Sequence, residues 1–193
     1  MKTNNQNTEV KKLYIWQDYV TSNDELITTG IGAVDQTGKI IFDELVKPET
    51  KWLKDETNAE RWLEIANHAG YSASEIVLAR PLSIVSNKLS HQISKLTGVT
   101  TLVSYNVRHN IPESLRHKYE EVDTMDLFAD VIKEPLYASD LAHGTDTDDK
   151  GEIIGYKWQK FSKYLDHYHV KLKGNKACDY ADAIRKAHQK MSE

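Results

Sequence analysis

Three apolar segments crowd into the first fifty residues, and their arrangement restricts the fold more than any other feature of the chain. Leu13-Tyr14-Ile15-Trp16 is rich in aromatic and β-branched side chains and is flanked by polar residues, which marks a strand. A second run extends from about Leu26 to Val34, with Gly30 and Gly32 leaving room for another backbone to come close. Asp35-Gln36-Thr37-Gly38-Lys39 then reads as a turn, because Gly38 takes a positive φ without steric cost. The chain resumes at Ile40-Ile41-Phe42 and continues through Leu45 and Val46 to Pro48. Together these segments predict an antiparallel meander. Its apolar patches are continuous rather than alternating, so both faces require cover.

Amphipathic segments further along the chain supply that cover. Asn58 to Ala69 reads as a helix, with Trp62, Ile65, Ala66 and Ala69 at helical spacing and Gly70 as its stop. Ser72 and Glu75 are spaced as a capping box. Pro81 stands at the entrance to the clearest amphipathic helix, in which Ile84, Leu89 or Ile93, and Leu96 share a face and Gly98 marks the end. Thr101 to Tyr105 reads as a strand, Pro112 as the opening of a helix containing Leu115, Val122 as a short strand, and Met125 to Ile132 as a helix. Residues 139–155, which include Gly144, Asp146, Asp148, Asp149 and Gly151, read as a loop longer than an ordinary connector. Beyond it Trp158, Phe161, Leu165 and Tyr168 make one apolar stripe, and Tyr180 to Met191 another helix. The organisation expected is a polar tail over 1–10 and one α/β domain over 11–193.

Composition narrows the function classes. The formal charge of −4 gives no strong general attraction for a polyanion. The single cysteine, Cys178, rules out an intrachain disulfide and a cysteine-based zinc cluster. The polar opening lacks the apolar run of a signal peptide, and no stretch approaches the ~20 apolar residues that cross a bilayer, so a cytoplasmic protein with no membrane partner is expected.

Three blocks in order carry a resemblance. The first strand, Leu13 to Thr21, is followed by Ile31-Gly32-Ala33-Val34 and then Val46-Lys47-Pro48. In the middle stand Tyr105-Asn106-Val107-Arg108-His109-Asn110 and, downstream, Asp123-Thr124. Near the end stands Asn175-Lys176-Ala177-Cys178-Asp179-Tyr180-Ala181. This order and spacing resemble the DEDDh-type 3'-5' exonucleases, the family of proofreading exonucleases and RNase T-like enzymes. The resemblance implies a ribonuclease-H-like mixed β-sheet flanked by helices. It also implies a site in which four carboxylates hold two Mg²⁺ or Mn²⁺ ions and a histidine activates water.

On that alignment the five catalytic roles fall on Gln17, Tyr19, Asn110, Asn175 and Tyr180, none of them a carboxylate or an imidazole. Neutral amides lack the charge that holds two dications close together, and an asparagine does not accept a proton as imidazole does. The resemblance therefore implies a degenerate centre, no resident cofactor, and a non-catalytic protein that binds single-stranded nucleic acid or a protein partner. Tyr19, Tyr105, Asn106 and Tyr180 are the candidates for substrate contact, set against the plainer reading in which Tyr105 packs under a helix, Asn106 closes a strand end, and Tyr19 and Tyr180 plug the old cleft. A second reading is a divergent two-metal exonuclease acting on single-stranded DNA or RNA, with Mg²⁺ or Mn²⁺ held by Asp18, Asp123, Asp179 or Asp182. Against it, Asp18 and Gln17 point to opposite sides of a strand. A third reading is a structural or regulatory homo-oligomer. Trp16, Trp62 and Trp158 are expected in the core, and Cys178 as a small buried residue.

Overall fold

The computed structural model describes residues 10–22, 25–137, 140 and 152–193. The expected meander is formed by β1 (Lys12–Ser22), β2 (Glu25–Asp35) and β3 (Ile40–Lys47), antiparallel in sequence order. The turn between β2 and β3 places Gly38 at φ +89°, and the Asp35 carboxylate secures it by accepting from the Thr37 and Lys39 amides and the Thr37 hydroxyl. Helices α1 (Thr50–Leu53), α2 (Glu56–His68) and α3 (Ala73–Leu78) follow, and the Ser72–Glu75 capping box opens α3. The two-residue β4 (Arg80–Pro81) then leads into α4 (Leu82–Ser94). Next come β5 (Thr101–Ser104), the single turn α5 (Val107–Asn110), β6 (Glu120–Asp123) and α6 (Thr124–Ile132). A separate ribbon pairs β7 (Pro135–Tyr137) with β8 (Ile153–Tyr156), and the chain closes with α7 (Phe161–His167) and α8 (Ala177–Met191).

The main sheet has six strands in the order β4-β3-β2-β1-β5-β6, with β5 parallel to β1, β6 parallel to β5 and β4 parallel to β3. It is a mixed α/β sheet with helices on both faces. Strand alternation divides the core in two. Leu13, Ile15, Ile31, Ala33 and Leu102 pack on Val85, Leu89 and Ile93 of α4 and on Val107, Ile111 and Leu115. Tyr14, Val34 and Val103 face the other way, onto Phe128, Tyr164, Leu165, Ala181 and Ile184. Burying each large apolar side chain contributes about 1.5–3 kcal/mol, so these two layers carry most of the stability. A third cluster, Leu45, Trp52, Trp62, Ala66, Tyr71 and Ala79, anchors α1 and α2 to the end of β3.

One close approach fixes where α8 begins. A Cβ added at Gly32 would lie 2.1 Å from the Cys178 backbone nitrogen, so the first turn of α8 rests directly on the β2 backbone.

Some expectations are corrected. The buried stripe of α4 is Val85, Leu89 and Ile93, while Ile84 is 46% exposed. Pro112 opens hydrogen-bonded turns rather than a helix, although Leu115 within them is buried. Trp158 precedes α7 and is 70% exposed, so it is not a core residue; the fully buried aromatic there is Tyr164. Of the loop expected over 139–155, the last part is strand β8, and most of the remainder lies outside the described residues.

Candidate functional site

Strand β1 outruns its parallel neighbour: β5 pairs only with Lys12 to Tyr14, and residues beyond have β2 alone beside them. Over this overhang the first turn of α8 crosses on one side of β2, and α2 closes the far wall. The result is a cleft of about 480 Å³, lined among others by Asp18, Tyr19, Glu64, His68, Tyr71, Asn175 and Tyr180. A roomier cavity of about 640 Å³ beside Leu26, Trp52 and Pro81 is lined by none of the candidate site residues.

Alternation along β1 decides which side chains enter the cleft from beneath α8. A Cβ on Gly30 would lie 3.2 Å from Asp18 Oδ2 and 3.7 Å from Ala177 Cβ, which puts Asp18 on the α8 side. Trp16 shares that side, its ring stacked on Tyr180 at 5.2 Å and tilted against Phe161 at 4.9 Å. Gln17 faces away, and its Nε2 donates to Thr28 Oγ1 at 2.9 Å. Tyr19, 38% exposed, reaches the cleft from its rim and stands 6.4 Å from His109, ring to ring. Asn110 is buried on α5, donating to the Tyr105 carbonyl. The side-chain oxygens of Gln17 and Asn110 are buried without a hydrogen-bond partner. Of the five aligned positions, Tyr19, Asn175 and Tyr180 therefore meet around the cleft, while Gln17 and Asn110 do not line it. Asn175 is tied across the mouth to α2, its Nδ2 3.2 Å from His68 Nε2 and 3.3 Å from the His68 carbonyl oxygen.

The alternative acids do not gather either. Asp123 accepts from the Asn106, Val107 and Met125 amides at 2.8–2.9 Å, so it caps α5 and α6. Asp179 accepts from the Lys176 amide at 3.0 Å, and Asp182 is gripped by Arg185 and Lys186 at 2.7 and 2.6 Å. Asp18 alone of the four lines the cleft. Tyr105 is buried with its hydroxyl donating to the Gln159 carbonyl. Asn106 takes the left-handed conformation, φ 63°, that lets β5 turn into α5.

Asp18 sits in an unusual setting. The Trp16 indole N–H donates to Oδ1 at 2.5 Å. Burial nevertheless pushes its carboxyl up to about 7, against that hydrogen bond and with help from the nearby charge of Asp43. Asp43, also pushed up by burial, is restrained by Lys176 and by hydrogen bonds from the Cys178 amide and thiol. The Tyr71 hydroxyl donates to Asp43 Oδ1 at 3.4 Å. Lys176 joins the cluster to α3: its Nζ is 3.1 Å from Glu75, 3.7 Å from Asp43, and 4.4 Å from the Tyr71 ring centroid. Burial pushes the Cys178 thiol up to about 12, with Asp43 adding to the effect, so it is a proton donor rather than a nucleophile. Among the described residues, no group of three or more His, Cys, Asp or Glu side chains is placed to hold a metal ion.

Asp43 and Glu64 are absent from the sequence-based candidates, and Lys176 stands there only as one residue of the third block. A signal for Asp43 existed: Gly30 and Gly32, two apart in a strand, mark the face on which a helix presses, and the cross-strand partners of Gly32 are Trp16 and Asp43. No helix among the described residues is long and apolar enough to cross a membrane. No protein-family model matches the chain, and no curated protein matches it at a significant level.

Proposed function

We propose that this chain is a non-catalytic protein on an exonuclease-type, ribonuclease-H-like fold, and that it works by binding a partner in the cleft beside α8. The supporting observation is the state of Asp18. It is the one candidate ligand in the cleft, and its Oδ1 is taken by the Trp16 indole. The donor set does not fit a pair of divalent cations, which need several ionised oxygens converging on each ion. The places that would supply them hold the rings of Tyr19 and Tyr180 and the amide of Asn175. The remaining candidate acids already hold helix ends or basic side chains, so recruiting them would dismantle local structure. The cleft also favours a protein partner over a nucleic acid. Asp18 and Glu64 line it, and among its described lining residues there is neither Lys nor Arg to meet a phosphate.

The test is direct. Purified protein with Mg²⁺ or Mn²⁺ is expected to release no nucleotides from the 3' end of labelled single-stranded DNA or RNA. Release that follows the protein through purification and is lost in Asp18→Asn would overturn the proposal.

A further inference from the structure

Building on the reading of this cleft as a binding site, we propose that it receives an alkylammonium group, the head of a methylated lysine side chain or of a free quaternary amine. Three tyrosine rings, Tyr19, Tyr71 and Tyr180, line the cleft together with the carboxylates of Asp18 and Glu64. Aromatic faces carry negative potential, and rings grouped with carboxylates attract a weakly hydrated cation while repelling a phosphate. The chain already seats one ammonium on this cluster, since Lys176 Nζ lies 4.4 Å from the Tyr71 ring centroid between Glu75 and Asp43. Asp18 Oδ2, Glu64 and Tyr19 are left for an incoming cation, with Tyr180, whose ring is stacked on Trp16, beside them. At about 480 Å³ the cleft falls within the size range of small-molecule sites and has room for a methylated head and its alkyl stem.

The site also dictates how binding responds to pH. Asp18 faces Trp16 on its own strand, Asp43 on β3, Tyr71 after α2, and Tyr180 on α8, with Glu64 and His68 across the cleft and Lys176 and Cys178 beyond Asp43. A cation arriving among these groups requires the Asp18 carboxylate, which burial keeps protonated up to about pH 7. Affinity for a ligand that does not itself titrate should therefore rise with pH by up to ~tenfold per unit below 7, and level off above it.

Calorimetric titration of the full chain with choline, N-acetyl-trimethyllysine amide, the neutral choline isostere 3,3-dimethylbutanol and thymidine monophosphate tests the assignment. Both ammonium compounds should bind, the neutral isostere about tenfold more weakly or worse, and the nucleotide should not compete. Trimethyllysine tighter than choline would identify a modified peptide as the source of the group, and the reverse a free amine. In Asp18→Asn, with folding verified by circular dichroism, binding should weaken and lose its pH dependence. Equal binding of the neutral isostere, competition by the nucleotide, or no binding of either ammonium compound at millimolar concentration would each overturn the assignment, and none of them needs a variant. Oligonucleotide cleavage would sink the non-catalytic reading by itself. Failure to bind ammonium without cleavage would sink only the choice of ligand.

Discussion

From Leu13 to Ile15, β1 is sealed between layers of apolar side chains, with β5 beside it as far as Tyr14; from Trp16 to Ser22 it overhangs with β2 alone, and the side chains it turns toward α8 are an indole and a carboxylate. The two halves share one strand and one sheet face, yet they solve opposite problems. In the first half every inward group is apolar or hydrogen-bonded, so burial stabilises. In the second, a charge sits under a helix without a basic partner of its own, and burial works against the fold. Such a conflict persists where a site needs the group, and the contrast between the halves is what makes Asp18 informative.

The junction between the halves is Gly32, the cross-strand partner of Trp16, and breaking it should give the largest effect. A methyl group there meets the Cys178 backbone nitrogen at 2.1 Å, where nothing flexible can yield. Gly32→Ala should lose about 3 kcal/mol or more in urea unfolding, because α8 must lift from both halves at once. Gly155→Ala, with nothing within 4 Å of the added carbon, serves as the neutral control. A loss under about 1 kcal/mol at Gly32 would show that α8 does not bear on the strand there.

The overhanging half predicts an unusual sign. In the unfolded chain Asp18 ionises near 3.8, and in the folded one near 7. Below 3.8 both states are protonated and the residue contributes nothing. As pH rises from 3.8 to 7 the unfolded state loses its proton first, so stability falls, and above 7 the penalty stays constant. The full shift corresponds to about 4 kcal/mol at ~1.4 kcal/mol per unit, of which about 2 is expected because the cleft opens to solvent. Asp18→Asn, which keeps an oxygen for the Trp16 N–H, should therefore stabilise the protein by about 2 kcal/mol at pH 8 and not at all below pH 4. Urea melts of both proteins across that range would measure it, and a destabilised variant at pH 8 would refute the account.

The apolar half of this comparison was legible from the chain itself. Strand segments, the Gly38 turn and the Ser72–Glu75 cap each depend on local chemistry, and each stands where the local signals placed it. Choices between faces were less legible. In α4 the stripe through Ile84 and the stripe through Val85 overlap in spacing, and the sheet selects Val85, Leu89 and Ile93. Trp158 has helical spacing to Phe161 and Leu165, but the backbone at Lys160 is extended, so the helix begins too late to include it. At the site the difficulty was parity. Alignment drew attention to Gln17 and Tyr19, whereas the side of β1 under α8 carries Trp16 and Asp18. Only the long-range contact of α8 with Gly32 distinguishes them, and no local pattern encodes a partner about 145 residues away.

The smallest effect belongs to the sealed half, where Tyr14 Oη lies 3.2 Å from His188 Nδ1 in the core. Burial lowers the pKa of His188 from 6.5, and the nearby charge of Lys12 lowers it further. The sign is the reverse of that at Asp18. Above pH 6.5 both folded and unfolded chains carry a neutral imidazole. As pH falls through 6.5 the unfolded state takes up a proton that the folded state refuses, so stability is lost toward acid. Tyr14→Phe leaves Nδ1 without its partner and should cost about 1 kcal/mol at pH 8, where the imidazole is neutral in both states. His188→Gln should flatten the decline of stability between pH 6.5 and 5, while Asp18→Asn removes a rise over the same interval. Urea midpoints of the two variants, each referred to wild type, should therefore diverge in opposite directions with acidification. Parallel shifts would mean that the two ends of β1 do not differ in the way their surroundings require.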